Sequence, residues 1–156
     1  MNLANLQFLF LGVNNFAATT IPSFLSSMAS LQDLRLNKCN LVGQIDTAFS
    51  SLNGLKTLWL SGNALTGTIP SSLGALTLIS SLFLGDNVLV GSVPESFGAL
   101  TALQILALPN NQLTGQVPNS IAGLANLGIL DLGNNTFTGT IPGDIGAMVK
   151  LSKLHR

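Results

Sequence analysis

Leucine and isoleucine recur along this chain in an order that neither a helix nor a single strand produces. Between Leu55 and Leu76 the gaps between apolar residues vary from two to five positions, and Asn63 lies in the longest gap. A helix repeats every 3.6 residues and a strand every two, so this order predicts a short strand, a tight turn and an irregular return segment. The leucine at the centre of the strand recurs at a spacing of 24 residues, as Leu34, Leu58, Leu82, Leu106, Leu130 and Leu154. Such a period predicts stacked repeats, and an earlier copy at Leu9 lies 25 residues before the first of them.

One small polar position follows each predicted strand and precedes the next apolar residue by two. It is occupied by Asn14, Cys39, Asn63, Asn87, Asn111 and Asn135. An asparagine that points inward at a buried bend can pair with backbone groups of its own turn and of the next turn. Cys39 is expected to be a small buried substitute, because a metal-binding or catalytic thiol needs histidine or further cysteine nearby and His155 lies five repeats away.

The return segments begin with glycine and continue to an isoleucine or valine that proline usually follows. Complete copies are Gly67–Pro70, Gly91–Pro94, Gly115–Pro118 and Gly139–Pro142. Glycine permits the turn, and proline fixes φ and removes a backbone donor. Ser71, Leu73 and Leu76 then predict an N-cap-like serine and about one turn of α- or 3₁₀-helix. In the second repeat Asp46 takes the place of the proline.

The run LxxLxLxxNxLxGxIPxxLxxLxx resembles the plant-type leucine-rich repeat over essentially the whole chain. The resemblance implies an α/β fold, a right-handed solenoid with a parallel sheet on its concave face and short 3₁₀ or helical turns on its convex side. It also implies a single domain over residues 1–156, made of six repeats and the strand of a seventh, without the paired-cysteine caps of the family. Stacking is needed because no single repeat can bury its own leucines.

Composition narrows the classes of partner. The chain is 47% hydrophobic and 8% charged, and six basic residues balance six acidic ones, so nucleic acid and anionic membrane surfaces are disfavoured. No apolar run approaches the roughly 20 residues of a spanning helix, and no export signal is visible, which predicts no membrane insertion by this chain. Location is therefore unknown from the sequence alone; the resemblance implies an extracellular or plasma-membrane ectodomain.

The family includes ectodomains of receptor-like kinases and receptor-like proteins, and polygalacturonase inhibitors, so the resemblance implies a surface that binds a peptide or protein. The residue after each central leucine should face solvent on the concave sheet. That column reads Phe10, Arg35, Trp59, Phe83, Ala107, Asp131 and His155. Exposed aromatic rings with an arginine between them suit an apolar side chain of a partner. Four flanking charges would fix the orientation of the partner: Asp33, Lys38, Lys56 and Asp86. The alternative is that stacking across strands only stabilises the sheet.

Catalysis is disfavoured, because titratable groups are few and no metal set, phosphate loop or cofactor motif is present. Asp131 and His155 fall on neighbouring strands, but no activated nucleophile accompanies them.

A second hypothesis is a lattice-matching surface, such as an ice-binding one. Two files of hydroxyl residues favour it: Thr66, Thr114 and Thr138, and Thr68, Ser92 and Thr140. Both files are interrupted, by Val42, Val90, Gln44 and Gln116.

Three further features concern the surface and the ends of the chain. Asn134 begins the sequon Asn134-Asn135-Thr136 and should point outward, which makes it a possible glycosylation site. The terminal leucines lack a further coil to cover them, which predicts either a piece of a longer solenoid or end-to-end self-association. The basic residues near the carboxyl end, Lys150, Lys153, His155 and Arg156, are interpreted as a solvated terminus.

Overall fold

A computed structural model describes residues 3–155, without the side chain of Ala147. Within these residues, seven short strands form one parallel sheet, the main sheet, in which each strand pairs with the strand of the next repeat. The strands are Phe8–Phe10, Asp33–Arg35, Thr57–Trp59, Ser81–Phe83, Ile105–Ala107, Ile129–Asp131 and Lys153–His155. Leu58 pairs with Leu34 on one side and with Leu82 on the other, as the 24-residue spacing predicts. The solenoid fold is thereby confirmed, with the main sheet on its concave face.

The central leucines of the main sheet point into a continuous core. Leu34, Leu58 and Leu106 are fully buried, whereas the residues on either side of each leucine remain partly exposed. Burying one leucine contributes roughly 1.5–3 kcal/mol relative to leaving it in water. Because coils stack on one another, the leucines of each coil are covered by those of its neighbours.

The asparagine ladder pairs with backbone groups as predicted, but with a different neighbour. Asn63 donates from Nδ2 to the carbonyls of Leu60 and Leu36, at 2.8 and 2.9 Å, and its Oδ1 accepts from the N–H groups of Cys39 and Leu41, at 2.9 and 3.1 Å. The second coil involved is therefore the preceding one, and the expected contact with the next turn was wrong. The side chain folds back toward the turn of the preceding coil and pairs with the N–H groups of Cys39 and Leu41 there.

Cys39 occupies the ladder as a small buried residue, as predicted. Its side chain is buried, and Sγ donates to the carbonyl of Leu11 at 3.0 Å. Cysteine has no amide oxygen, so this coil lacks the acceptor that asparagine supplies elsewhere.

The convex side carries 3₁₀ helices of five residues. Those in the described residues are Ser23–Ser27, Thr47–Ser51, Ser71–Ala75, Glu95–Ala99, Asn119–Gly123 and Gly143–Ala147. Proline precedes most of them, and Asp46 replaces it once by accepting a hydrogen bond from the Ala48 N–H at 2.8 Å. The expected serine N-cap was wrong, because Pro70 holds that position without a side-chain bond. Serine instead connects coils: Ser72 Oγ donates to the Thr47 carbonyl at 3.0 Å.

A second set of strands, which the leucine pattern did not indicate, lies between the main sheet and the 3₁₀ helices in chain order. The described side strands are Thr19–Thr20, Leu41–Gln44, Ala64–Thr66, Val90–Gly91 and Gln112–Leu113. They form a three-stranded and a two-stranded parallel sheet, connected by a bridge between Thr68 and Val90.

Among the helices of residues 3–155, none has the length and apolar character that crossing a bilayer requires.

Candidate recognition surface

The main sheet places four large side chains side by side on adjacent strands. Trp59 lies in register with Arg35 and with Phe83, and Arg35 in turn lies in register with Phe10. We call Phe10, Arg35, Trp59 and Phe83 the aromatic row. Phe10 is 57% exposed, and the other members are half-buried, so the row forms part of the solvent-facing surface.

Contacts within the row are continuous. The guanidinium carbon of Arg35 lies 4.7 Å from the centroid of the Phe10 ring and 5.8 Å from that of the Trp59 ring. Trp59 and Phe83 follow with centroids 5.0 Å apart and ring planes inclined by 35°. These are distances of cation–π and offset aromatic contacts, so each member supports the next.

Asp33 holds Arg35 in place. The Nε of Arg35 donates to Oδ1 of Asp33 at 3.0 Å, and Nη2 donates to Oδ2 at 2.8 Å. This hydrogen bonding raises the pKa of Arg35 above its ordinary value, although burial works against it. The carboxylate predicted to orient a partner is thus paired within the surface itself.

The other predicted flanking charges lie around the row and outside it. Lys56 Nζ donates to Gln32 Oε1 at 3.0 Å, just before the strand that carries Trp59. Lys38 and Asp86 occupy left-handed turns after the strands, with φ of 53° and 55°. Asp86 Oδ1 accepts from Asn110 Nδ2 at 2.6 Å, so its side chain belongs to a polar ladder along the turns.

Asp131 lies in the same column as the row but is separated from Phe83 by the strand of Ala107. Its Oδ1 accepts from the Gly133 N–H at 3.1 Å and lies 3.1 Å from His155 Nδ1. The structure therefore does not bring Asp131 into contact with the aromatic rings. In the described part of the chain, no group of three or more His, Cys, Asp or Glu side chains could hold a metal ion.

Apolar residues of the neighbouring column also belong to this surface, and sequence reasoning missed them. Phe8 is 55% exposed, with its ring centroid 6.3 Å from that of Phe10. On later strands, Ile105 and Ile129 are half-buried and lie in register. The available signal was that each lies two residues before a residue of the solvent-facing column, because alternate residues of a strand share a face.

The side strands present a second surface, the side face, which carries no charged residue. Its exposed or half-buried positions form three files at the repeat spacing. They are Asn40, Ala64, Val88, Gln112 and Thr136; Val42, Thr66, Val90, Thr114 and Thr138; and Gln44, Thr68, Ser92, Gln116 and Thr140. The two hydroxyl files predicted from the sequence are thus adjacent, with valine and glutamine between the hydroxyl groups.

Comparison with known proteins places this geometry in a family. Leucine-rich repeat family models match residues 29–89, 102–124 and 126–148, which together make up more than half of the chain. A search of curated proteins found no match.

Solved structures of plant receptors are similar over nearly the whole chain. One is the ectodomain of the membrane receptor kinase GASSHO1/SCHENGEN3 from Arabidopsis thaliana, in complex with CASPARIAN STRIP INTEGRITY FACTOR 2, at 40% identity and a TM-score of 0.95. The match covers 98% of this chain and 18% of that one. Another is the plant peptide hormone receptor RGFR1 in complex with RGF2, at 36% identity and a TM-score of 0.93, covering 96% of this chain and 24% of that one.

A plant ice-binding protein is also similar, at 31% identity and a TM-score of 0.85, with 89% of this chain and 45% of that chain covered. The chain thus spans about a fifth to a quarter of the receptors and under half of the ice-binding protein. The repeat pattern, the family match and the structural similarity agree, and the chain belongs to the plant-type leucine-rich repeat family.

Proposed function

We propose that residues 1–156 are a single, non-enzymatic recognition domain, six repeats and the strand of a seventh, that binds a peptide or protein on the main sheet. The proposal extends to a role in a receptor-like or co-receptor ectodomain at the cell exterior. The observation that carries it is the aromatic row, whose rings are held by one another and by Arg35 while part of their surface remains in water. Two similar structures are receptors in complex with named ligands, which supports this class of partner.

The row has the composition of an interface centre. Tryptophan and arginine are enriched among residues whose truncation costs binding energy, and their contribution grows when neighbours exclude water. Lys38, Lys56 and Asp86 would then form a polar rim, where charges affect orientation and association rate more than affinity. Asp131 extends the same column toward a second contact point.

A double alanine variant of the aromatic row, compared with a control variant on the convex side, tests this proposal. Wild type and a Trp59→Ala, Phe83→Ala variant are used to capture partners from plant extracellular fluid, and affinity is then measured for any captured peptide or protein. We expect a loss of about 2 kcal/mol or more, roughly 30-fold in Kd, for the double variant. Phe24→Ala removes an exposed ring from the convex side and is expected to leave affinity unchanged. Equal capture by wild type and the double variant would refute the proposal.

The side face supports a second candidate function, binding to ice. The side face carries no charged residue, and its side chains recur at the spacing of the coils. The chain is also similar to a plant ice-binding protein. Thermal hysteresis of the wild type should then be lost in Thr66→Lys, Thr114→Lys and kept in Thr77→Lys, which alters an exposed threonine elsewhere. Absence of hysteresis in the wild type would remove this candidate.

Two smaller proposals concern the surface. Asn134 is exposed, so a glycan could be attached to Nδ2, which now donates to Asn110 Oδ1 at 2.9 Å. Mass spectrometry of secreted protein, with Asn134→Gln as control, tests that modification. End-to-end association is favoured by apolar side chains exposed in the outermost coils, such as Leu11 and Leu154, and predicts a light-scattering mass that rises with concentration.

A further inference from the structure

The aromatic row ends abruptly at Phe83. Trp59 covers one side of the Phe83 ring, but the neighbour on the other side is Ala107, whose single methyl group cannot cover a ring. Asp131 follows Ala107 in the same column. Adjacent strands lie about 4.8 Å apart, so Phe83 and Asp131 are separated by about twice that distance. The space above Ala107 is one side chain thick, and we call it the Ala107 slot.

The walls of the Ala107 slot differ in chemistry. One is the face of an aromatic ring, which attracts cations, and the other is a carboxylate. Both contacts of Asp131 use Oδ1, so Oδ2 has no hydrogen-bond partner within residues 3–155. Ile105 and Ile129, in register beside the slot, supply apolar surface for a methylene chain.

The same surface already contains a guanidinium in such a setting. Arg35 stacks on Phe10 and Trp59 while Asp33 accepts two of its hydrogen bonds. Arg35 is thereby occupied, and its charge is neutralised by Asp33. Asp131 Oδ1 already faces the Gly133 N–H and His155 Nδ1, so the acceptor that remains at this end of the row is Oδ2 of Asp131.

We propose, on the basis of the recognition function above, that the Ala107 slot binds an arginine side chain of the peptide or protein ligand. The guanidinium would stack on Phe83 and donate to Asp131 Oδ2, and the methylene chain would lie against Ile105 and Ile129. Arginine is preferred to lysine because a planar guanidinium both stacks and forms directed hydrogen bonds. An uncharged aromatic side chain would fit the space but would desolvate Asp131 without pairing it. Lys153 lies in register with Ile129, one strand farther from Phe83. Its positive charge is therefore not next to the Phe83 side of the slot, where the guanidinium would stack.

The test uses capped pentapeptides, acetyl-Gly-Gly-Xaa-Gly-Gly-amide, with Xaa as arginine, lysine, phenylalanine or aspartate. Binding is measured by NMR at the methyl groups of Ala107 and Ile129 and at the indole N–H of Trp59, the one tryptophan of the chain. We expect saturable shifts with the arginine peptide, an affinity at least tenfold above that for the phenylalanine and aspartate peptides, and weakening as salt is raised.

Two variants remove the slot without removing the row. Asp131→Asn keeps an oxygen for the Gly133 N–H and removes the charge, and Ala107→Leu fills the space. Each should weaken the arginine peptide tenfold or more. Glu95→Gln, which neutralises an exposed carboxylate in a 3₁₀ helix of the convex side, should change its Kd by less than twofold. The amide spectrum of each variant serves as the check of folding.

Several results would overturn this proposal. Equal or tighter binding of the phenylalanine peptide would show that the slot prefers an uncharged side chain, and tighter binding of the aspartate peptide would show that it prefers an anionic one. No shift at Ala107 with any peptide would show that the slot is not a site. If a captured ligand depends on Trp59 and Phe83 but binds Ala107→Leu and Asp131→Asn as it binds wild type, the slot proposal fails and the recognition function stands.

Discussion

At the scale of single residues, we expect substitution to be most destabilising where a side chain forms hydrogen bonds with backbone groups. Asn87 is buried, and its side chain forms four hydrogen bonds: Nδ2 donates to three carbonyls and Oδ1 accepts from the Leu65 N–H. No buried side-chain nitrogen or oxygen in the described residues lacks a partner. The ladder therefore supplies hydrogen-bond partners for backbone groups at bends that stacking removes from water.

Replacing Asn87 by alanine should lower the free energy of unfolding by about 3 kcal/mol or more, because each buried backbone group left unpaired costs roughly 1–3 kcal/mol. Urea unfolding followed by circular dichroism measures the change. Asn119→Ala removes an exposed amide at the start of a 3₁₀ helix and should stay within about 0.5 kcal/mol of wild type. Similar losses in both variants would contradict the structural role of the ladder.

Glycine 67 illustrates a backbone requirement of a different kind. Gly67 has a φ of +74°, and an added Cβ would lie 3.0 Å from Cγ of Gln44. Gly67→Ala should therefore cost about 1–2 kcal/mol, the penalty of a left-handed conformation for an L-residue. Gly123 lies in a 3₁₀ helix with open space around the added atom, so Gly123→Ala should be close to neutral in the same unfolding experiment. A neutral Gly67→Ala would indicate that this turn can rearrange.

At the scale of elements, the strands of the main sheet separate stability from recognition. Their central leucines are buried, and the residues beside them are available to a partner. A cross-strand pair on the exposed face stabilises a sheet by roughly 0.2–1 kcal/mol. Stacking alone is thus worth little to the fold, which distinguishes the two interpretations of the aromatic row.

Trp59→Ala should lower the free energy of unfolding by less than about 2 kcal/mol, because the ring lies on the half-exposed face of the sheet, where a cross-strand pair such as those with Arg35 and Phe83 contributes roughly 0.2–1 kcal/mol. Leu58→Ala, one residue away and fully buried, should cost about 2–5 kcal/mol. Chemical unfolding of the two variants gives the comparison. A Trp59 cost equal to that of Leu58 would favour a purely structural role for the row.

The elements also show how far sequence reasoning reaches. The leucine spacing predicted the strand register because buried leucines leave one compatible alignment, and Trp59 and Phe83 were placed side by side for the same reason. The pairing of Arg35 with Asp33 depends on the conformations of long side chains, which spacing does not determine. The side strands are two to four residues long and contain glycine and threonine, so they have no periodic apolar signal.

At the scale of the whole molecule, the solenoid has a direction that its repeat pattern hides. Four ladder asparagines act on the coil before their own: Asn63, Asn87, Asn111 and Asn135. Asn111 Oδ1 accepts from the Leu89 N–H at 3.0 Å, while the Leu113 N–H of its own coil is held by Asn135 at 2.9 Å. A turn is therefore completed by the coil that follows.

Asn111→Ala should accelerate amide hydrogen exchange at Leu89, in the preceding coil, by tenfold or more, because that N–H loses its acceptor. The amide of Leu113 should keep its protection, since Asn135 is unchanged. Exchange measured by NMR on both amides in the same sample provides the internal control. Faster exchange at both sites to the same degree would indicate general loosening instead.

This direction has a consequence for biosynthesis. A chain that leaves the ribosome amino end first presents each turn before the asparagine that will secure it has been made. Every newly emerged coil then waits for about one more repeat, 24 residues, before its bend is fixed. Maturation of the solenoid would trail translation by a constant interval, and the most recently synthesised coil would always be the one open to chaperones and proteases.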